Sequence, residues 1–251
     1  MAKQTGILKL KGTIGDISFY KTADGHLARG KGGVDASRIA NDPAFQRTRE
    51  NGSEFGRAGK GGKVVRNAIR LLLQSAKDKR VVGRLTGALL KVVKSDTTNA
   101  RGLRTVQDGA VSILKNFEFN VKAKLASTLF TAFATTFDRA SGEGTFNVSQ
   151  FAPTSAIAGP IGATHYKISF CTAELDFENE VFTSDIDTSG VLPYNSILAG
   201  DFEIPTSINV ASTLPVVQVV SVEFYQEVNG EMYPLKNGAH NAMAVVFAEK
   251  V

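Results

Sequence analysis

From residue 63 onward, apolar side chains recur at helical spacing. At 100° per residue, Val64, Val65, Ala68, Ile69, Leu72 and Ala76 share one face of a segment over 63–77, opposite Lys63, Arg66, Arg70 and Lys77. The pattern returns over 80–94, where Val81, Val82, Leu85, Leu89, Val92 and Val93 oppose Arg80, Arg84, Lys91 and Lys94. A third copy runs over 101–117, with Leu103, Val106, Ala110, Ile113, Leu114 and Phe117 against Arg101, Arg104, Asp108 and Lys115. Upstream, Asp42-Pro43 is a helix start: the carboxylate can take free N–H groups, and Pro at the first helical position has its φ already set. The helix it opens is expected to turn Phe45 and Phe55 inward and Arg47, Arg49 and Glu50 outward, and to weaken at Asn51-Gly52. Gly59-Lys60-Gly61-Gly62 then reads as a break. Each helix has one side to bury and one basic side to show, which predicts a small helical bundle or layer.

After Phe117 the period changes from 3.6 to 2. Phe117, Phe119, Val121 and Ala123 alternate with polar residues, predicting a half-buried strand. Further strands are predicted over 129–137, 145–151, 165–177, 180–184, 216–227, 231–235 and 243–249, with Asn229-Gly230 as a hairpin turn. Antiparallel strands at this spacing predict a β-sandwich. At the other end, Ile7, Leu8 and Leu10 predict a short strand, Gly15-Asp16 a turn, and Ile17, Phe19 and Tyr20 a second strand. Ala23-Asp24-Gly25 is a tight turn, and Gly30-Lys31-Gly32-Gly33 a flexible exit. A ribbon this small is rarely stable alone and must dock, either on its own chain or by strand addition to a neighbour. The fold class is therefore α+β. A short N-terminal β ribbon (1–35) leads to a basic helical bundle or layer (36–117) and an antiparallel β-sandwich (118–251).

Charge sharpens this division. Residues 1–125 hold 25 Lys/Arg against 10 Asp/Glu, a balance of +15; residues 126–251 hold 4 against 14, a balance of −10. A chain with a basic and an acidic half attracts copies of itself head to tail, at contact range because salt screens beyond about 8–10 Å. The single Cys171 excludes an intramolecular disulfide framework. No apolar run is long enough to span a bilayer, so no membrane insertion is expected, and no N-terminal signal pattern is present. A cytoplasmic location follows, with release by lysis or dedicated export also compatible.

Candidate chemistry is thin. Around Gly62-Lys63 the phosphate-loop template fails, since Arg57 stands where the first Gly belongs and Val64 where Ser or Thr must hold magnesium. His26, His165, His240 and Cys171 have no ligand spacing. The alternating acids Glu174, Asp176, Glu178 and Glu180 read as a solvated acidic edge rather than a calcium or sugar-cleaving site. Residues 57–115 hold 14 Lys/Arg against three Asp, enough to attract a phosphate backbone, but no aromatic lies between Phe55 and Phe117 to stack bases.

Four N-terminal stretches carry a resemblance: 11–21 (Lys11-Gly12-Thr13-Ile14-Gly15-Asp16-Ile17-Ser18-Phe19-Tyr20-Lys21), Lys31-Gly32-Gly33-Val34, 42–51 (from Asp42-Pro43-Ala44-Phe45 to Glu50-Asn51) and Glu54-Phe55-Gly56-Arg57-Ala58-Gly59-Lys60. Over roughly the first 110 residues the chain resembles a family of uncharacterised proteins found in Bacteroidota genomes. The resemblance implies a bacterial protein without a signal peptide, and no activity or cofactor.

The expected function is a non-enzymatic, self-assembling structural protein without cofactor or small-molecule substrate, a filament or tubular-sheath subunit whose partner is itself. Its basic face would be Arg66, Arg70, Arg80, Arg84, Lys91 and Lys94, and its acidic face Glu174, Asp176, Glu178 and Glu180. The arm residues Ile7, Leu8, Leu10, Ile17 and Phe19 would lock the contact. The alternatives are a sequence-independent nucleic-acid-binding or packaging protein, and a carbohydrate- or protein-binding module.

Overall fold

Tight turns shape the first 49 residues, which form a unit of their own in the computed structural model. The structure describes residues 2–30, 32–198, 201–235 and 238–250; Met1 of the expected arm, Lys31 of its glycine exit and Val251 lie outside the described residues. Strands β1 (Ala2–Lys3), β2 (Gly12–Ile14), β3 (Ile17–Thr22) and β4 (Gly25–Gly30) form an antiparallel sheet in the order β1-β4-β3-β2. Gly15, at φ +54, makes the turn from β2 to β3. The strand expected at Ile7, Leu8 and Leu10 is absent. The Gln4 side-chain amide substitutes for a paired strand: it accepts from the Leu10 N–H at 2.8 Å and donates to the Leu27 carbonyl at 3.1 Å. The loop it pins leaves Ile7 fully exposed, Leu8 largely so and Leu10 about half so. Helix α1 (Ala36–Asn41) follows, capped by Asp35, and Asp42 caps a single 3₁₀ turn (Pro43–Phe45) through the Ala44 N–H. Arg49 closes the unit by donating to the carbonyls of Ile39 and Asp42. No described side chain of this unit is buried.

Helix α2 (Gln46–Ala68) begins in that unit and continues into the second, residues 50–251. It runs through all five of its glycines, so the break expected at 59–62 does not occur. The reason is packing: a Cβ on Gly61 would lie 3.1 Å from Val106 and 3.3 Å from Phe177, so glycine brings the helix close to its neighbours. Phe55 points outward, 57% exposed, while Glu54 points inward and is 1% exposed. Glu54 is tolerated there because it accepts from the Gly102 N–H at 2.8 Å and from Arg104 Nε at 2.9 Å. After a bend at Ile69 come α3 (Arg70–Leu73) and α4 (Val81–Lys94). Their inward residues are those expected, except that Val82 is exposed and Leu73 and Thr86 are buried.

The helix expected over 101–117 is also absent; a lone 3₁₀ turn (Val111–Leu114) stands there. Gly102 and Asn116 adopt positive φ, and the Asp96 carboxylate captures the N–H groups of Thr98, Asn99 and Thr105. Side-chain acceptors thus replace the helical carbonyls, and only Val106 and Leu114 of the outward-inward pattern are fully buried alongside Val111.

Among the described residues, two helical turns (Leu125–Thr128 and Pro153–Ala156) and nine strands complete the unit: β5 (Phe133–Asp138), β6 (Glu143–Val148), β7 (His165–Asp176), β8 (Val181–Thr188), β9 (Leu192–Pro193), β10 (Phe202–Ser207), β11 (Val216–Val228), β12 (Glu231–Pro234) and β13 (Ala242–Glu249). β7 and β11 form the centre of a six-stranded antiparallel sheet, with β8 and β9 on the far side of β7, and β12 and β13 on the far side of β11. The strand expected over 117–123 is reduced to a short ladder on β13, where Phe119 N–H donates to the Met243 carbonyl and Val245 N–H to that of Phe117. Val121 is exposed.

The pleat sorts the long strands into two faces. Cys171, Ala173, Leu175, Val217 and Val219 face the helices and pack with Val65, Leu72, Leu85, Leu89 and Val92. Tyr166, Ile168, Phe170, Val220, Val222 and Phe224 face the other way, onto Phe146, Val148 and Ile204 of a second, three-stranded sheet in the order β10-β6-β5. At one edge the two sheets meet where the Ser207 N–H donates to Asp185 at 2.8 Å. The second unit is therefore layered: helices, large sheet, small sheet. The boundary expected at residue 117 falls inside the first of its two cores, which helices and sheet share.

Candidate assembly surfaces

The outer face of the helical layer follows from which residues the large sheet claims. With Leu85, Leu89, Val92 and Val93 buried, Arg80, Lys91 and Lys94 are left in solvent, as is Arg70. Two members of the expected basic face are withdrawn from it, Arg84 by its partners and Arg66 by burial. Arg84 donates to the carbonyls of Glu118 (2.6 Å) and Phe119 (3.1 Å), pairs with Asp78, and lies over the Phe117 ring at 5.2 Å. It is a brace between α4 and the segment around Phe119 that ladders onto β13. Arg66 is half-buried against α2, its Nη1 sealed from solvent.

The expected acidic face does not assemble, because the strand ends at Asp176 and a turn carries the rest. Glu174, 6% exposed, points between the two sheets and accepts from Asn209 at 3.1 Å. Asp176 closes the turn by accepting from the Asn179 N–H and side chain and the Glu178 N–H, which holds its carboxyl below the usual carboxylate range. Glu180 sits at φ +57 and pairs with Lys60 of α2 at 2.7 Å; that ammonium lowers its pKa. One basic–acidic contact of the kind expected between copies is thus made within the chain.

The acidic surface lies elsewhere. On the small sheet the inward residues Phe146, Val148 and Ile204 alternate with outward ones, which places Glu143 and Glu203 on the outer face with Asp138, paired to Glu143 across β5 and β6. Asp201 borders a groove of about 630 Å³ on this sheet, beside Glu203, Asn147 and Ala134. The signal was present in the sequence as the alternation over 143–148 and 202–207, which sets Glu143 and Glu203 opposite Phe146, Val148 and Ile204, but no strand was expected over 202–207, and the spacing does not show that the two segments pair in one sheet. Since helices and small sheet cover opposite faces of the large sheet, cationic and anionic outer surfaces stand on opposite sides of this unit.

The arm residues are divided. Ile17 and Phe19 are in β3 and pair with β2 and β4, whereas Ile7, Leu8 and Leu10 belong to the exposed loop. β2 is an edge strand, three residues long, with Ile14 exposed.

A polar cluster on the helix-facing side of the large sheet joins Ser75, Lys167, Glu223 and Tyr225. Glu223 accepts from Ser75 and Tyr225 and pairs with Lys167 at 3.2 Å. Burial alone would lower the Lys167 pKa, but the Tyr225 hydroxyl and the Glu223 charge outweigh it and raise it. Burial, chiefly, raises that of Tyr225. An ammonium held protonated and a phenol held neutral are unsuited to act as bases near neutral pH; the cluster ties the segment after α3 to the sheet. The Cys171 thiol is buried, and burial with the nearby Asp185 charge pushes its pKa up to about 12, so it is inert. Among the described residues no group of His, Cys, Asp and Glu could hold a metal, and no helix is long and apolar enough to cross a membrane. No protein-family model, curated protein or solved structure matches the chain.

Proposed function

We propose that this chain is the subunit of a homopolymer, a filament or tubular sheath, in which the helical face of one copy meets the small-sheet face of the next. The observation that carries the reading is the opposition of charge across the layered unit: Arg70, Arg80, Lys91 and Lys94 on one side, Asp138, Glu143 and Glu203 on the other. A contact between two different surfaces is heterologous, and repeats into rings or open filaments rather than closing as a two-fold dimer. The N-terminal unit supports the same reading. A sheet with no buried side chain gains too little to stand alone; its edge strand β2, with Ile14 exposed, is suited to pair with a neighbouring copy, and the loop residues Ile7 and Leu8 to pack on it.

Electron microscopy and sedimentation across a salt series test this. Polymers should form at about 50 mM salt and shorten toward about 500 mM as screening tightens. The exposed double substitution Ile7→Asp, Leu8→Asp should abolish them and leave thermal unfolding unchanged. Monomers at every salt and concentration, or polymers indifferent to the substitution, would overturn the proposal or its arm, respectively.

A further inference from the structure

Where α4 begins, a cleft of about 690 Å³ opens between the loop that precedes the helix and the segment around Val121. Lys77, Lys79, Arg80 and Lys122 line it, and none of the four forms an ion pair among the described residues. The one carboxylate in the lining, Asp78, is already saturated. It accepts from the Arg80 N–H at 2.7 Å and the Val121 N–H at 3.2 Å, and its charge is answered by Arg84. Burial pushes the Asp78 pKa up, but these donors outweigh it and hold the group ionised. The same bonds make the cleft rigid: the Asp78 N–H donates to the Phe119 carbonyl, so both walls are fixed to one another before any ligand arrives.

Four unanswered cations around a pre-formed concavity repel each other, and a compact multivalent anion relieves that repulsion. The cleft shares Arg80 with the proposed assembly face, whereas Lys77, Lys79 and Lys122 lie outside the cations assigned to that contact. Its volume suits a ligand of nucleotide size, but the lining has no aromatic side chain on which a base could stack. We infer that the cleft binds the phosphate groups of a polyphosphorylated ligand, with Lys79 and Lys122 reaching in from opposite walls.

Calorimetric titration of the intact chain at about 50 mM salt, with inorganic tripolyphosphate and separately with a short random-sequence DNA duplex, tests the site. Tripolyphosphate should saturate at one equivalent. Lys79→Ala with Lys122→Ala should weaken it about tenfold, as loss of two solvent-exposed charge pairs implies. Lys91→Ala with Lys94→Ala, equally basic but outside the cleft, should change it less than about twofold. A duplex that competes with tripolyphosphate identifies nucleic acid as one source of the phosphate. Equal weakening by both variant pairs, binding of duplex without tripolyphosphate, or no binding of either, would each overturn the site.

Discussion

Asp96 holds together the stretch where a third helix was expected. Its carboxylate accepts from the N–H groups of Thr98, Asn99 and Thr105 and from the Asn99 side chain, at 2.8 to 3.0 Å. Burial pushes its pKa up, but these four donors outweigh it and bring it from 3.8 down to about 2. A carboxylate whose folded pKa is depressed stabilises the fold above the unfolded value and loses that stabilisation as pH falls through the folded one. Its contribution, about 1 kcal/mol once solvent screening is discounted, should therefore be present above pH 3.8 and vanish toward pH 2. Denaturant unfolding of the chain and of Asp96→Ala should differ at pH 6 and converge at pH 2; a gap independent of pH would refute this role. Periodicity could not reveal Asp96, because an acid that gathers backbone N–H groups has the same spacing as one on a helix surface. Glu54 was hidden in the same way, since its burial depends on Arg104, fifty residues away.

Among the elements, those built from strong local preference were legible and those built on close approach were not. The long strands β7 and β11, the hairpin at Asn229-Gly230 and the buried stripe of α4 follow from pattern and turn chemistry. Helix α2 does not, because glycine penalises an isolated helix yet permits a packed one. Its glycines divide accordingly: a Cβ on Gly56 meets open space, whereas one on Gly61 meets Val106 and Phe177. Gly56→Ala should raise stability by about 0.5–1 kcal/mol. Gly61→Ala should lower it by about 1–3 kcal/mol through overpacking. Chemical denaturation of the two single variants checks the signs, and a gain at both positions would mean that α2 does not pack this closely.

At the scale of the molecule, the charge asymmetry of the two halves was visible in the chain, and so was the α+β class. Which acids make the anionic surface was not, because that depends on one sheet folding over another and on a turn that removes Asp176, Glu178 and Glu180 from any common face. The layered unit turns an asymmetry along the sequence into one across space: helical cations outside one core, small-sheet carboxylates outside the other. Lys60–Glu180 is one such pair within the chain, and like charges facing one another should prevent the contact between copies. The most direct measurement is a mixing experiment followed by electron microscopy. One variant carries Lys91→Glu and Lys94→Glu, the other Glu143→Lys and Glu203→Lys. Neither should polymerise alone, and an equimolar mixture should restore polymers, since each reversed face then meets its complement. Polymers from either variant alone, or none from the mixture under conditions where the unaltered chain assembles, would contradict head-to-tail assembly through these two faces.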